Sequence, residues 1–562
     1  MSTLMMLVLL AAIGIASLLC NSGCWLWLAA RWCRIPNVSY LRALAAVSLI
    51  AAINVMLRLP ASELADRVGR PGAVWALYAI VSLVVAAACL KLILRARVGR
   101  SLAAGAIAFV ISGAVALPVA FAFRSFVIES FAIPTGAMAP AILGRHFNVT
   151  CENCGLAFSV SAHERYQMRH ALGWQSVPFA NTRVRSQLAV CPNCETENAL
   201  ADTMPIVVGD HIFVDKLGRA RRWDPLVYRY PGDRRVDYLH RLIGLPGETV
   251  EIIGGDIFIN GRREAKAWGV ANDLWVLVND TRFRPTRLKP GDPQWQSAAS
   301  SPNWRWDEQG WRFVGSELDS EELVFSGPIS DESFYAEREP GNHPNSFDLP
   351  ISVGDVRVVC TLRRFSGAGE IGFHWAFRGS AASATVSAAG EINLQAESGA
   401  KQARLPRPLA EAKTIAFAVR DGFMMLAVDE HEEANISLGA QDAETCRLLD
   451  VAAVDPCRIG IRAAHCELEL SRIVVERDVY YSTLSAQGDS WCAGCKDRPM
   501  TLRPQEHYVL GDHSRRSNDS RAWDSLDPSL EGRYQQGTVP SGLIIGPAKC
   551  IYWQPARWHT LQ

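Results

Sequence analysis

Two short cysteine pairs have a spacing that can do chemistry: Cys151 and Cys154 in CENC, and Cys191 and Cys194 in CPNC. Two thiolates two residues apart turn both sulfurs toward one ion, and two such pairs complete a tetrahedral four-sulfur shell of the kind that holds structural zinc. Four sulfurs close that shell, so the expectation is a structural zinc and no cofactor for catalysis. If this region lies outside the cytoplasm, two disulfides are the alternative. The knuckles are 36 residues apart, longer than a usual ribbon loop, and His163 and His170 in between read as surface residues rather than ligands. A third pair, Cys492 and Cys495 in WCAGC, has no matching knuckle and reads as a disulfide or a coincidence. Cys20, Cys24, Cys33 and Cys89 lie in or beside apolar runs and read as small apolar residues.

The elements that must position these groups fall into two unlike parts. The 562-residue chain carries 57 Lys+Arg and 57 Asp+Glu, but residues 1–124 hold eleven of the basic residues and only Glu63 and Asp66 of the acids. The first part is therefore near +9 and the rest near −9, the pattern of a membrane anchor joined to an acidic soluble body, with no nucleic-acid partner. Apolar runs at 4–28, 43–57, 73–94 and 102–123 predict four transmembrane helices, since about 20 residues at 1.5 Å rise cross a bilayer core. The second run is short, contains Asn54 and is flanked by Arg42 and Arg58. The start has no basic segment ahead of a long apolar stretch, so it reads as a retained anchor. Arg31, Arg34 and Arg42 in the first loop, and Lys91, Arg95, Arg97 and Arg100 in the third, place those loops in the cytoplasm and everything after Arg124 outside.

From residue 125 onward short β-branched runs alternate with Gly, Pro and Asp, which predicts a mainly β soluble region. Ordered along it are RSFVIESFAIPTGAMAP (124–140), GDHIFVDK (209–216), RRWDPLVYRYP (221–231), YLHRLIGLPGETV (238–250), FINGR (258–262), GDHSRRSNDSRAW (511–523) and a closing GLIIGPAKCIYW. In this order they resemble the boxes of bacterial type I signal peptidase, the membrane-anchored serine endopeptidase that trims signal peptides from exported proteins. The resemblance covers about 130 residues. It implies a signal peptidase-type β fold over 125–148, 205–265 and 482–562, interrupted by a zinc-ribbon insert at 149–201 and a large insert at 266–481.

Acyl transfer needs a nucleophile, a base within hydrogen-bond reach and donors aimed at the developing oxyanion. In the family the nucleophile is the serine before the methionine of an S-G-S-M turn, and here that turn reads Thr135, Gly136, Ala137, Met138. Ala137 has no hydroxyl. The resemblance assigns Thr135 to the oxyanion hole, with the Ala137 N–H as the other donor, and leaves Thr135 as a substitute nucleophile. The base position holds His240 where most bacterial members have lysine, as in the signal peptidases of the endoplasmic reticulum and archaea; an unperturbed imidazole already titrates near 6.5. Ser517 matches the serine that orients the base. Asp519 matches a carboxylate that pairs with the arginine matched by Arg521, and with a histidine base it could instead complete a Ser-His-Asp geometry.

Within 266–481, regular short strands separated by Gly and Asp turns suggest a β-sandwich similar to concanavalin-like or laminin G-like jelly rolls, a fold that binds glycans or peptides. Trp304, Trp306 and Trp311 could line a sugar site, with core packing as the default. Two functions follow. One is a membrane-bound signal peptidase of the bacterial inner membrane, multi-pass, with its body outside the cytoplasm, the signal peptides of preproteins as substrates and the lipid bilayer as partner. The other is an inactive relative that binds exported polypeptides or glycans.

Overall fold

The computed structural model describes residues 19–561 except 69–70, 96, 163–186, 202–203, 288–293, 298, 300–302, 308, 316–318, 333–334, 336–349, 440, 450–455, 484–491 and 524. The chain divides into two compact units, Met1–Glu129 and Ser130–Gln562.

The first unit is helical. A helix at 19–32 is followed by Tyr40–Val68, Pro71–Leu94 and Val98–Phe126. Small residues let these helices approach closely: Ala29, Ala30, Ala43, Ala46, Ala104 and Ala108 are buried together with Leu26, Leu90 and Leu94. Leu83 and Phe109 remain largely exposed, as suits a surface that meets lipid rather than water. Among the described residues two stretches are long and apolar enough to cross a membrane, Tyr40–Leu57 and Val74–Leu94, consistent with a membrane anchor. The second expected run thus belongs to a longer helix than its apolar residues alone suggest. Asn54, which weakened it on paper, donates its side-chain amide to the Ile50 carbonyl one turn back. Most of the first run, 4–18, lies outside the described residues, and the fourth contributes a shorter apolar stretch, Gly99–Ser112.

The second unit is mostly β. In one sheet Ile544–Trp553 pairs with His211–Asp215 on one side and Pro225–Arg229 on the other, followed by Asp237–Gly244 and Glu506–Leu510. A four-stranded sheet joins Arg262–Arg263, Asp256–Ile259, Thr249–Ile253 and Met500–Thr501. A 13-stranded sheet takes up most of 276–477; its axis is the antiparallel pair Val356–Phe377 and Arg458–Arg477. Alternation along these two strands sends Val358, Cys360, Ile371 and Phe373 to the same apolar core as Ile459, Ile461, Leu468 and Ile473. The pairing bulges between Gly367 and Glu370, where a Cβ at Gly369 would lie 1.8 Å from the Ala464 carbonyl oxygen, so this close approach requires glycine.

Where the large sheet meets the four-stranded sheet, Lys266 is buried with its ammonium 2.5 Å from Asp421 and 2.9 Å from Asp478. Asp256 and Asp355 stand close by, and burial pushes the Asp256 carboxyl up to about 6. Lys266→Met would remove the ammonium that the two buried carboxylates share, with Arg420, 3.2 Å from Asp421, as the cation that remains beside them, a loss of about 3–5 kcal/mol. The expected outcome is a clearly lower denaturant midpoint for the detergent-solubilised variant; an unchanged midpoint would show that the junction does not depend on this pair.

Candidate active site and cysteine centre

The strand Asp237–Gly244 places consecutive side chains on opposite faces, and that alternation separates two functions in the pair His240-Arg241. His240 lines a cleft of about 440 Å³, while Arg241 points into the protein and is fully buried. The neighbouring strand pairs Leu226 with His240, which puts Tyr228 diagonally beside the imidazole on the same face. Tyr228 Oη lies 2.6 Å from His240 Nδ1, and Ser517 Oγ lies 3.2 Å from His240 Nε2. Both ring nitrogens are therefore engaged.

Ser517 is delivered by the loop 511–521, whose ends are fixed by buried ion pairs. Arg241 forms a two-pronged pair with Asp512 (2.8 and 2.6 Å) and donates to the Trp223 carbonyl. Arg521 grips Asp519 in the same way (2.9 and 2.6 Å) and also donates to the Ser514 hydroxyl and the Ser482 carbonyl. The second oxygen of Asp519 accepts the Gly511 N–H at 2.9 Å. Asp519 is thus committed to Arg521 and Gly511 and makes no hydrogen bond to His240, so a Ser-His-Asp geometry does not form; Tyr228 takes the imidazole's other side. The loop contains the Arg521–Asp519 ion pair.

Thr135, Gly136, Ala137 and Met138 line the same cleft, together with Phe131, Ile133, Pro134, Val227 and Leu239. The Ala137 carbonyl accepts the His513 N–H at 3.0 Å. A Cβ placed on Gly511 would fall 2.6 Å from the Ala137 carbonyl oxygen and 2.1 Å from Ser517 Oγ, so the alanine turn and the serine flank a single glycine that has no room for a side chain. Among the described residues neither the Thr135 hydroxyl nor the Ala137 N–H has a hydrogen-bond partner.

Three contributors were not legible in the sequence. Tyr228 read as one strand residue of many. His513 sits in the 511–523 box but bears no spacing relation to His240. Tyr335 belongs to the large insert, yet its ring lies where a Cβ on Gly136 would be (2.3 Å), its carbonyl accepts the Ser161 N–H at 2.7 Å, and nearby Asp331 pairs with Arg515 at 2.7 Å. Tyr335 therefore stands against the turn 135–138, and Ser161, bonded to it, lines the same cleft.

Burial pushes the His240 imidazole down to about 4, opposed by the Asp519 carboxylate and reinforced by Arg521. His513 is likewise held at about 4, by burial and by Arg516. Burial holds the Tyr228 phenol well above its ordinary range, so it stays protonated. Burial also works against the charged form of Asp519, but the Arg521 guanidinium outweighs it and keeps the carboxyl below the usual carboxylate range. The site at neutral pH thus contains a neutral imidazole between two neutral hydroxyls, with a carboxylate and a guanidinium behind them.

Cys151, Cys154, Cys191 and Cys194 converge at the tips of two hairpins, His146–Thr150 with Ala157–Ser161 and Gln187–Val190 with Glu197–Leu200. All four are free thiols whose sulfurs lie within 4.8 Å of one another, the Cys151–Cys194 and Cys154–Cys191 pairs at 3.5 and 3.6 Å. Metal–sulfur bonds of about 2.3 Å at tetrahedral angles put sulfurs about 3.8 Å apart, so the cluster fits a structural metal. The asparagines inside the knuckles anchor the centre to the large sheet: Asn193 accepts the Asp280 N–H at 2.6 Å and donates to the Phe283 carbonyl, and Asn153 accepts the Arg287 N–H at 2.8 Å. His163 and His170 lie outside the described residues. Cys492 and Cys495 are joined as a disulfide. Trp304 is buried against Phe313, whereas Trp306 and Trp311 line a small groove with Arg284.

Residues 189–281 match the family model described as signal peptidase, peptidase S26. The signal peptidase I of Mycobacterium tuberculosis is 39% identical over 74 residues, 13% of this chain and 24% of that protein. That of Rickettsia canadensis is 26% identical over 145 residues, 26% of this chain and 40% of that protein. The chain thus spans between about a quarter and two fifths of the length of these relatives, and the relationship to signal peptidases covers a small part of it. Among solved structures, a carbohydrate-binding module from Bacillus subtilis superposes with 10% identity on 33% of this chain and 95% of its own, at a TM-score of 0.21, too loose to assign a fold.

Two outcomes test this geometry. In ¹⁵N spectra the His240 ring should remain neutral down to about pH 5 and titrate near 4, and Tyr228→Phe should change its tautomer balance; a midpoint near 6.5 would contradict a buried imidazole. Purified protein should hold one tightly bound metal ion per chain, lost in Cys191→Ser, as read by elemental analysis.

Proposed function

We propose that this chain is a membrane-anchored endopeptidase of the signal peptidase type, which removes signal peptides from exported proteins on the outer side of the bacterial inner membrane. The observation that carries this reading is the neutral His240 with a serine hydroxyl 3.2 Å from its Nε2, on the wall of an open apolar cleft. The match over 189–281, which includes His240, supports it. An extended segment ending in small side chains suits a cleft lined by Phe131, Ile133, Val227 and Leu239. There His240 acts as general base, and the Thr135 hydroxyl and Ala137 N–H receive the oxyanion. Asp519, which bears on His240 through space, favours the imidazolium that forms, and Arg521 positions Asp519. The cysteine centre holds zinc as a structural ion, and the large insert adds a β-sandwich with a glycan or protein partner.

The methyl group of Ala137 favours a second reading, a cleft that binds exported polypeptides without cutting them. The two separate on incubation of full-length protein in detergent with a preprotein carrying a small-x-small site. Cleavage after that site is expected, lowered about 10³-fold or more in His240→Ala; binding without cleavage would establish the second reading. Because His240 is held near 4, the neutral base persists in acid: the rate should stay flat from pH 8 to about 5 and halve near pH 4.

A further inference from the structure

We infer that Ser517 supplies the attacking hydroxyl, so that the nucleophile has moved from the alanine turn to the loop opposite; this rests on the peptidase reading above. Among the described residues Ser517 and Tyr228 are the hydroxyls bonded to His240. Tyr228 is completely buried and cannot reach a substrate, whereas Ser517 is partly exposed between Arg516 and Asn518, which both line the cleft. Thr135 faces the cleft without a bond to His240, which leaves it free to donate to an oxyanion. Nucleophile, base and a third group behind the base thus form the sequence Ser517, His240, Tyr228, all within hydrogen-bond reach.

The alanine is part of the arrangement. Ser517 Oγ and the Ala137 carbonyl crowd the same side of Gly511. The turn that carries the Ala137 N–H thus stands next to Ser517, and Ala137 has no side-chain atom beyond Cβ to compete with its hydroxyl.

The chemistry balances without any other reagent than water. His240, with its own proton on Nδ1 and directed at Tyr228 Oη, takes the Ser517 proton on Nε2 as Oγ bonds to the scissile carbonyl carbon. The oxyanion is held by Thr135 and the Ala137 N–H. Collapse breaks the C–N bond, and the departing amine takes the proton from Nε2, leaving an ester on Ser517. Water, deprotonated by His240, attacks the ester; the new C-terminal carboxylic acid leaves, and its oxygen partner on Ser517 recovers the proton from His240.

The test treats native full-length protein in detergent with a fluorophosphonate probe and maps the adduct by mass spectrometry. One adduct per chain is expected on Ser517, absent in Ser517→Ala and His240→Ala, with preprotein cleavage by Ser517→Ala reduced about 10³-fold or more. An unchanged melting temperature and retained preprotein binding show that Ser517→Ala is folded; should it not fold, the adduct on the native chain decides. An adduct on Thr135, or cleavage by Ser517→Ala within tenfold of native, would overturn the assignment while leaving the peptidase reading intact. Neither adduct nor cleavage in the native chain would instead overturn the peptidase reading, and this assignment with it.

Discussion

Two guanidinium–carboxylate pairs withdrawn from water, Arg241 with Asp512 and Arg521 with Asp519, fix everything that the cleft can do. A buried charge without a partner costs several kcal/mol, so each pair can exist only with its backbone in register. The first ties the strand of His240 to the start of the loop 511–521, and the second ties that loop back on itself through Ser514 and Gly511 and to the chain at Ser482. What is left between the anchors is a short arc, and Ser517 lies on it. The serine meets the imidazole because neither end of the arc can move without stranding an ion.

The same constraint explains the electrostatics. A buried imidazole is kept neutral by desolvation, and a nearby carboxylate alone would work against that. Here the carboxylate is already claimed by Arg521, so its field on His240 is weakened without being removed. The ring stays neutral at rest and still finds some compensation when it takes a proton. Tyr228 completes the balance, since a phenol held in its protonated form can serve either tautomer of the ring.

The cysteine-bearing segment and the large sheet are attached to the rest of the β unit by directed contacts rather than hung from it. The cysteine centre is bonded through Asn193 to Asp280 of the large sheet and, in the turn that follows it, through Asn193 to Phe283 and Asn153 to Arg287. The segment between two strands of the large sheet packs Tyr335 against the turn 135–138 and pairs Asp331 with Arg515 of the 511–521 loop. Lys266, between Asp421 and Asp478, closes the junction on another side. A chain whose net charge sums to zero is thus a basic helical unit and an acidic β unit, and many of the acids in the second are spent on holding its parts together.

The sequence by itself determined the chemical inventory: four thiols in two knuckles, a histidine–arginine pair, a turn that reads Thr-Gly-Ala-Met, and apolar runs ahead of a β-rich body. These are properties of residue type and local spacing, which a linear string carries in full. It assigned Asp519 a choice between Arg521 and His240 and could not make it, because that choice depends on which buried charge lies within reach once loops separated by hundreds of residues have packed. The shortest apolar run proved to belong to a 29-residue helix for a related reason: hydropathy records which residues favour lipid, whereas helix length is set by backbone hydrogen bonding that continues through polar residues such as Asn54. Tyr228, Tyr335 and the meeting of Ser517 with His240 across 277 positions belonged to the tertiary structure alone, since contact between distant residues is decided by how strands and loops fill space, and no local pattern encodes it.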